Sequence, residues 1–297
     1  MNQEENTNHK AGFVNIIGKP NTGKSTIMNA LVGEKLAIAT AKAQTTRHRI
    51  MGIVNGDDYQ IVYSDTPGII DPQYALQESM MKFVKSSLKD ADILLIMVEV
   101  KEKTVAPFWE KIEKIEVPKI FILNKIDLVT KELADEHMAA WKEKVKADYY
   151  FAVSALHGHN LKELFAKIKE LLPIHPPYFP KDELTDKSWR FFVSEIIREK
   201  IFLNYKQEIP YSVEIVVESF KEEKDITKIK ATIYTNRKSQ KPIIIGKGGS
   251  MIKKLGVESR QDIEAFINKK VYLELFVKIR ENWRNDDLML KNFGYKN

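Results

Sequence analysis

The feature that most constrains this chain is the stretch GKPNTGKST, which runs from Gly18 to Thr26. An apolar, strand-like run at 13–17 precedes it, and a helical pattern at 24–32 follows it. The spacing is that of a Walker A loop, GxxxxGK[ST], in the strand–loop–helix context that this motif requires. Glycines let backbone N–H groups turn toward phosphate oxygens, and the helix N-terminus adds partial positive charge. The stretch therefore predicts a phosphate-binding loop at the end of a buried strand.

Individual residues of this loop have predicted roles in binding a nucleoside triphosphate. Lys24 is expected to reach the β- and γ-phosphates, and the Ser25 hydroxyl is expected to ligate Mg²⁺. The predicted nucleotide contacts in the loop are Gly18, Asn21, Thr22, Gly23, Lys24, Ser25 and Thr26.

A second stretch, Ser64-Asp65-Thr66-Pro67-Gly68, also follows a predicted strand. Asp65 is placed to support the Mg²⁺ ion, and the Gly68 N–H is placed to meet the γ-phosphate. Pro67 is included in the predicted site. Because ligands of open α/β sheets bind at the carboxyl ends of the strands, both stretches are expected at one edge of the sheet.

Two later stretches indicate which base is bound. Asn124-Lys125-Ile126-Asp127 follows a strand, and the Asp127 carboxylate can accept from both N1–H and the exocyclic amine of guanine. Adenine offers neither donor at that edge, so such a site discriminates strongly. Ser154-Ala155-Leu156 follows the last strand of this half, where a backbone N–H can meet the guanine O6. Together the four stretches, in this order, predict a site for GTP and GDP.

The rest of the first half has the rhythm of an α/β domain. Further strands are expected at 49–54, 59–63, 92–100, 119–123 and 149–153, with helices between them at about 76–89, 107–115, 132–146 and 161–172. Strands that alternate with helices favour a mostly parallel sheet with helices on both faces. Four prolines in 172–180 then indicate a linker, because proline continues neither helix nor central strand.

After the prolines the predicted order is α-β-β-α-α-β. It comprises a helix at 188–203, strands at 212–220 and 227–235, the strand-like apolar run 243–245 leading into the glycine cluster, helical material at 251–267 and a strand at 271–279. We therefore expect a smaller α+β domain. The predicted division is a polar tail at 1–11, a GTP-binding domain at 12–173, a Pro-rich linker at 174–186 and a second domain at 187–297.

The glycine cluster of the second domain, Gly246 to Gly249, has three interpretations. A second Walker loop is excluded by spacing, because Met251 and Ile252 stand where Gly-Lys is required. A plain helix-capping turn is one alternative. The other is the GxxG loop of a type II KH module, which clamps the backbone of about four single-stranded nucleotides. Five lysines and no acidic residue in 238–254 favour the KH loop. The predicted RNA contacts are Ile245, Gly246, Lys247, Gly248, Gly249, Met251, Lys253 and Lys254. The apolar residues Ile244, Ile245, Met251 and Ile252 are expected to form the floor of a groove for bases, with some of them in the core.

Composition limits the remaining functions. The 297 residues carry a net charge of +6 with a pI near 9.0, which permits contact with nucleic acid or an anionic membrane surface. Cysteine is absent, so disulfides and zinc–thiolate sites are excluded. The polar start is not a signal peptide, and no apolar run approaches the length of a membrane span. A cytoplasmic protein is expected.

The motifs KPNTGKST, AQTTRHR, DTPG and NKID, followed by IIGKGGSMIKKLG and VYLELFVKIRENW, resemble the Era family of translation-factor-class GTPases over nearly the whole chain. The resemblance implies that Thr46, rather than Thr45, ligates Mg²⁺ in a mobile switch segment. It also implies that Asn21 helps to hold K⁺ near the phosphates. Binding to the 3′ region of 16S ribosomal RNA, action in 30S subunit maturation, peripheral contact with the inner membrane and a monomeric state are further expectations.

The predicted catalytic set is Lys24, Asn21, Thr46 and Gly68, and it lacks one common member. Many GTPases place a water-orienting glutamine directly after the DTPG glycine, but Ile69 stands there, so slow intrinsic hydrolysis is expected. Two functions stay open: an RNA-coupled GTPase switch, or a nucleotide-stabilised RNA chaperone whose hydrolysis is incidental. A tRNA-modifying GTPase would need a reactive cysteine, and a membrane-remodelling GTPase a long helical stalk, and neither is visible.

Overall fold

A computed structural model describes residues 8–40, 42–105 and 109–296 of the chain. Contacts divide it into two compact units, one formed by Met1–Asp71 with Met80–Asp186 and the other by Pro72–Ser79 with Lys187–Asn297. Most of the predicted tail lies outside the described residues. In the part of the chain that is described, no helix is both long enough and apolar enough to cross a membrane.

The first unit is built around a sheet of six strands among the described residues, in the order β2-β3-β1-β4-β5-β6. β2 pairs antiparallel with β3, and the other neighbours are parallel, which confirms the predicted α/β class. The strands are β1 (Lys10–Gly18), β2 (Ile50–Asn55), β3 (Tyr59–Asp65), β4 (Ile93–Glu99), β5 (Lys119–Asn124) and β6 (Tyr149–Val153). The helices are α1 (Lys24–Val32), α2 (Ala75–Lys89), α3 (Trp109–Glu113), α4 (Lys131–Lys144) and α5 (Leu161–Leu171). The residues of α2 up to Ser79 are assigned to the second unit.

The central strands of this sheet are buried along most of their length. Every residue of β4 from Ile93 to Met97 is buried, as are those of β5 from Ile120 to Asn124. Continuous apolar runs of this kind are typical of parallel strands covered on both faces. Their carboxyl ends lie at one edge of the sheet, where the four predicted nucleotide-binding stretches begin.

The proline-rich segment at 174–186 is fixed to the first unit by hydrogen bonds. The Ile53 N–H donates to the Leu184 carbonyl at 2.8 Å, and the Met51 N–H donates to Asp186 Oδ1 at 3.0 Å. The buried Gln60 Oε1 accepts from the N–H groups of Tyr178 and Phe179 at 2.7 and 3.0 Å. The segment covers part of the outer edge of β2, whose backbone groups would otherwise be unpaired.

The second unit contains a three-stranded sheet within the described residues, in which β8 pairs antiparallel with β7 and parallel with β9. Helices α6 and α9 pack against it around an apolar core. Its strands are β7 (Val213–Glu222), β8 (Thr227–Thr235) and β9 (Val271–Ile279). Its helices are α6 (Trp189–Asn204), α7 (Ile209–Ser212), α8 (Gln240–Ile245), α9 (Ser250–Ile267) and α10 (Asp287–Asn292).

One local prediction in this unit is wrong. The run Ile243-Ile244-Ile245 was expected to be strand-like, but it forms the end of the short helix α8. A three-residue apolar run does not distinguish a strand from a buried helix segment. Here Pro242 lies in the first turn of the helix, where its missing N–H is tolerated, and Ile244 is buried in the core.

Replacing Gln60 should release the segment at 174–186. In Gln60→Leu the N–H groups of Tyr178 and Phe179 lose their acceptor, which should cost about 2–3 kcal/mol of the free energy that holds this segment. Protease cleavage within 174–186 should become faster, as measured by mass spectrometry of the fragments. Gln261→Leu, at an exposed position of α9, is the control. Equal cleavage rates in the two variants would contradict this account of Gln60.

Candidate nucleotide site and nucleic-acid groove

The loop between β1 and α1 depends on glycine at two positions. A Cβ atom at Gly18 would lie 2.4 Å from the Met97 carbonyl oxygen, and one at Gly23 would lie 2.3 Å from Asn124 Nδ2. Gly23 also has a φ of 95°, in the left-handed region that favours glycine. Asn21 has a φ of 65°, which asparagine tolerates better than most side chains. The loop therefore has a turn that larger side chains could not form.

The Lys24 ammonium lies inside this turn. Its Nζ donates to the carbonyl oxygens of Lys19 and Gly18 at 2.8 and 3.3 Å. Burial lowers the pKa of Lys24 to about 8, and the nearby Asp65 carboxylate opposes that shift. A poorly hydrated cation enclosed by carbonyl oxygens is well placed to bind a phosphate group.

Three oxygen-bearing side chains meet beside the loop. The Ser25 and Thr46 hydroxyls donate to Asp65 Oδ2 at 2.6 and 3.1 Å and lie 3.0 Å apart. The structure thus brings Thr46, the residue favoured over Thr45, into contact with both other predicted metal ligands. Asp65 is fully buried, and burial raises its pKa, against the opposing effects of Lys24 and the two hydroxyls.

This cluster fits a divalent cation. Asp65 Oδ1 is buried and has no hydrogen-bond partner among the described residues. A buried carboxylate oxygen without a partner is costly, and two hydroxyls with a carboxylate are the hard oxygen ligands that Mg²⁺ prefers. Ser25 and Thr46 would hold the ion and Asp65 would support it.

The segment after Asp65 approaches the phosphate loop closely. A Cβ atom at Gly68 would lie 2.6 Å from the backbone nitrogen of Pro20, and the Ile69 N–H donates to the Gly18 carbonyl at 3.0 Å. The Ile69 side chain is only 3% exposed and lies in an apolar hollow with Ile17 and Ile112. Its side chain is therefore part of the packing and cannot orient water.

The base-binding stretches are linked to the phosphate loop by one side chain. Asn124 Nδ2 donates to the Thr22 carbonyl at 2.8 Å, and its Oδ1 accepts from the Ala155 N–H at 3.0 Å. Asp127 Oδ1 accepts from the Ser154 hydroxyl at 2.5 Å. The stretch Ser154-Ala155-Leu156 was predicted to offer a backbone N–H to guanine O6, and in this structure the N–H of its middle residue, Ala155, donates to Asn124. Leu156 is 74% exposed.

The cleft that these loops form has a volume of about 480 Å³. Several of its lining residues were not predicted, among them Ile38, Thr40, Gln44 and Glu99. The Glu99 carboxylate lies 2.8 Å from Lys125 Nζ. Glu99 is the last residue of β4, so its position at the carboxyl edge of the sheet was the available signal. The remaining lining residues include Asn21, Lys24, Ser25, Thr26 and Thr46.

The second glycine cluster lies in the loop between α8 and α9. Gly246, Gly248 and Gly249 all have positive φ, at 73°, 58° and 79°. A Cβ atom at Gly246 would lie 2.6 Å from Met251 Cγ, so this glycine lets the loop fold back on α9. Lys247 is exposed at the tip. The loop therefore presents backbone and a lysine to solvent.

A groove of about 350 Å³ runs beside this loop between α9 and β9. Its floor is mostly apolar, and Lys253 and Arg260 supply positive charge. Of the residues predicted for this site, Ile252 and Lys253 line it, whereas Ile244 is in the core and Met251 packs partly against the core. The lining residues are Ile252, Lys253, Gly256, Val257, Arg260, Leu273 and Leu275.

The groove residues Gly256 and Arg260 could have been predicted from their spacing relative to Ile252. Ile252, Gly256 and Arg260 follow each other at four-residue spacing, which places them on one face of a helix. Glycine inside a helix is unfavourable, and a Cβ atom at Gly256 would meet only Leu275, at an ordinary 3.7 Å. The core therefore does not require glycine here, and its absence of a side chain leaves the groove open.

Comparisons with known proteins find relatives for both halves of the chain. Residues 13–125 match the family model described as 50S ribosome-binding GTPase, and residues 208–284 match the KH domain model. GTPase Era of Caldicellulosiruptor saccharolyticus is 44% identical over 96% of this chain and 97% of its own length. The chloroplastic GTPase ERA-like protein of Oryza sativa subsp. japonica is 43% identical over 97% of this chain and 70% of its own length.

Two solved structures share the whole fold. A crystal structure of an Aquifex aeolicus Era variant bound to GDP·AlF4⁻ has a TM-score of 0.93 at 36% identity, over 97% of this chain and 100% of that one. A structure of Era in complex with MgGDPNP and nucleotides 1506–1542 of 16S ribosomal RNA has a TM-score of 0.90 at 37% identity, with the same coverage.

Fold, sites and sequence together define a P-loop GTPase with a C-terminal KH domain. The chain belongs to the Era family of GTPases, which confirms the resemblance noted in its motifs. It is a GTP-hydrolysing enzyme that uses guanine nucleotides with Mg²⁺.

Replacing Asp127 should change which base is bound. In Asp127→Asn the carboxamide accepts one hydrogen bond and donates one, so it fits xanthine better than guanine. We expect GTP affinity to fall at least about 100-fold while xanthosine triphosphate begins to bind. Competition with a fluorescent nucleotide measures both. Asp135→Asn, exposed on α4, is the control, and unchanged GTP affinity in Asp127→Asn would rule out this role.

Proposed function

We propose that this chain is a switch in which GTP binding and hydrolysis control its hold on the 3′ region of 16S ribosomal RNA during 30S subunit maturation. The observation that carries the proposal is the presence of two sites for phosphate on one chain. One is a closed site for a single guanine nucleotide, and the other is an open groove suited to a polymer. The Era structure with MgGDPNP and a 16S fragment supports this pairing.

At the nucleotide site the residues of the chain bind and orient the phosphates and exclude water. Lys24 neutralises phosphate charge, and backbone N–H groups of the loop surround the phosphate oxygens. Mg²⁺, held by Ser25 and Thr46, would neutralise further negative charge as it develops on the β- and γ-phosphates. Thr46 and the Gly68 N–H are the groups that lose their partners when the γ-phosphate leaves, so hydrolysis releases both segments.

At the RNA groove the backbone of Gly246 to Gly249 approaches phosphates closely, because no side chain intervenes. Lys247, Lys253 and Lys254 add attraction that weakens with salt. The apolar floor between α9 and β9 suits the faces of unpaired bases. This division of roles favours single-stranded RNA over a duplex.

A segment of the second unit follows the Gly68 switch directly in sequence. Within that unit the Ala75 N–H donates to Asn285 Oδ1 at 3.2 Å, and the Arg284 guanidinium lies 4.6 Å from the Tyr74 ring centroid. Both contacts join residues 72–79 to the part of the chain that follows β9. A short stretch of backbone connects Gly68 to these contacts, so a movement of Gly68 can be transmitted to them. This connection supports the proposed coupling.

The burial of Ile69 favours a second candidate, an RNA chaperone in which GTP only stabilises the bound state. Single-turnover hydrolysis with and without a 16S 3′ fragment separates the two functions. We expect at least tenfold acceleration by RNA, which is about 1.4 kcal/mol of transition-state stabilisation. Acceleration below twofold would favour the chaperone.

A negative charge placed in the loop at 246–249 should weaken RNA binding and leave GTP binding unchanged. In Gly248→Asp a carboxylate at the exposed tip should repel phosphate and reduce RNA affinity at least about tenfold, while GTP affinity stays within twofold. Fluorescence anisotropy with labelled RNA and labelled GTP measures both. Gly158→Asp, an exposed glycine that also has positive φ, controls for backbone strain. An equal loss of GTP affinity in Gly248→Asp would contradict separate sites.

Asn21 should make hydrolysis depend on the monovalent cation. It lines the cleft at the position where the Era-family resemblance implies a K⁺ ion, which would supply positive charge in place of an arginine. We expect faster turnover in K⁺ than in Na⁺ at equal ionic strength, and loss of the difference in Asn21→Ala. Phosphate release measures the rates. Equal rates in both salts for the unsubstituted protein would exclude this role.

A cytoplasmic location and peripheral contact of the monomer with the inner membrane remain part of the proposal. Their support is the family resemblance together with the basic balance of charge, +6.

A further inference from the structure

Arg49 lies three residues after Thr46 and directly before β2, and it is not among the described residues that line the nucleotide cleft. Its Nε donates to the Ser64 hydroxyl at 2.6 Å. Nη2 donates to Asp90 Oδ1 at 3.0 Å and to Asn15 Oδ1 at 3.3 Å, and Nη1 donates to Asp90 Oδ2. The guanidinium thus has three different acceptor residues.

The partners of Arg49 also bind each other. The buried Asn15 in β1 donates from Nδ2 to Asp90 Oδ1 at 2.9 Å and to the Ser87 carbonyl. Ser87 lies in the last turn of α2, and Asp90 follows that helix. Arg49 therefore joins the start of β2 to β1, β3 and the end of α2. Polar networks satisfied in this way hold their members in one arrangement.

Arg49 and Thr46 bind successive residues of the same strand. The Thr46 hydroxyl donates to Asp65, while Arg49 donates to Ser64. Successive side chains of a strand point to opposite faces of the sheet. The short segment 46–49 is therefore fixed on both faces at the carboxyl end of β3, and Ile50 then pairs with Asp65 in the β2–β3 ladder.

We propose that Arg49 is a positioning residue that orders the switch segment so that Thr46 presents its hydroxyl to Mg²⁺ in the GTP state, and that Arg49 does not contact the nucleotide. The inference rests on Thr46 as a metal ligand. GDP has no γ-phosphate to order this segment. Loss of Arg49 should therefore weaken binding of the triphosphate state and leave binding of GDP nearly unchanged.

The bidentate geometry explains why arginine is needed. A planar guanidinium reaches both oxygens of Asp90 while its Nε reaches Ser64, which the single ammonium of lysine cannot do. Arg49→Lys should therefore behave more like Arg49→Met than like the unsubstituted protein.

The test compares GDP with a non-hydrolysable GTP analogue in the full chain. In Arg49→Met the dissociation constant of the analogue should rise about tenfold, and that of GDP should stay within twofold. Asp90→Ala should raise the same constant, and the double variant should lose less than the sum of the two single losses, because both changes remove the Arg49–Asp90 pair. Lys82→Met, which removes an exposed cation from α2, is the matched control and should change neither constant.

A second readout needs neither nucleotide nor metal. Hydrogen exchange of the backbone within 44–49 should be faster in Arg49→Met than in the unsubstituted protein. Thr46→Ala is the reference for the ligand assignment: if it leaves analogue affinity unchanged, the assumed role of Thr46 fails.

Three results would overturn the role of Arg49 itself. One is unchanged exchange within 44–49. Another is an equal loss of GDP and analogue affinity, which indicates general destabilisation. The last is a loss in Arg49→Met that neither Asp90→Ala nor Ser64→Ala reproduces, because these two residues accept three of the four hydrogen bonds that the guanidinium donates.

Discussion

The nucleotide site depends on the buried carboxylate of Asp65. It accepts hydrogen bonds from Ser25 at the start of α1 and from Thr46 before β2, and Lys24 lies near enough to oppose the rise in its pKa. A carboxylate in such a position is costly unless it is compensated. Here the compensation comes from the groups that a triphosphate and a divalent cation would engage. Binding of GTP and Mg²⁺ would therefore involve hydrogen bonds that already join α1, the end of β3 and the segment before β2.

The sheet explains why these groups meet. Parallel strands β1, β3, β4, β5 and β6 all end at the same edge, so the residues that follow each of them converge although they are far apart in sequence. Asn124 then links two of the loops directly, from Thr22 to Ala155. The strands hold the site, and the segments around Thr46 and Gly68, which connect them to other elements, are the parts that change in the proposed switch.

Much of this was predictable from sequence, and the exceptions have physical reasons. The Walker loop and the base-binding stretches are local motifs, so their position after a strand was sufficient. The choice of Thr46 over Thr45 needed the family resemblance. The β9 side of the groove was missed because Leu273 and Leu275 come from a strand distant in sequence from the glycine loop. The anchoring role of Gln60 and the partners of Arg49 are also long-range contacts that no local pattern shows. The strand-like prediction for 243–245 was wrong because a run of three apolar residues fits a helix as well as a strand.

In the proposed switch, the nucleotide bound at the first site changes the affinity of the second site for RNA. The most direct test is the affinity of a 16S 3′ RNA fragment measured with GDP and with a non-hydrolysable GTP analogue. The account predicts at least about fivefold tighter RNA binding with the analogue, a reciprocal tightening of the analogue by RNA, and loss of the difference in Thr46→Ala. Equal RNA affinities in the two nucleotide states would contradict it and leave two independent domains on one chain.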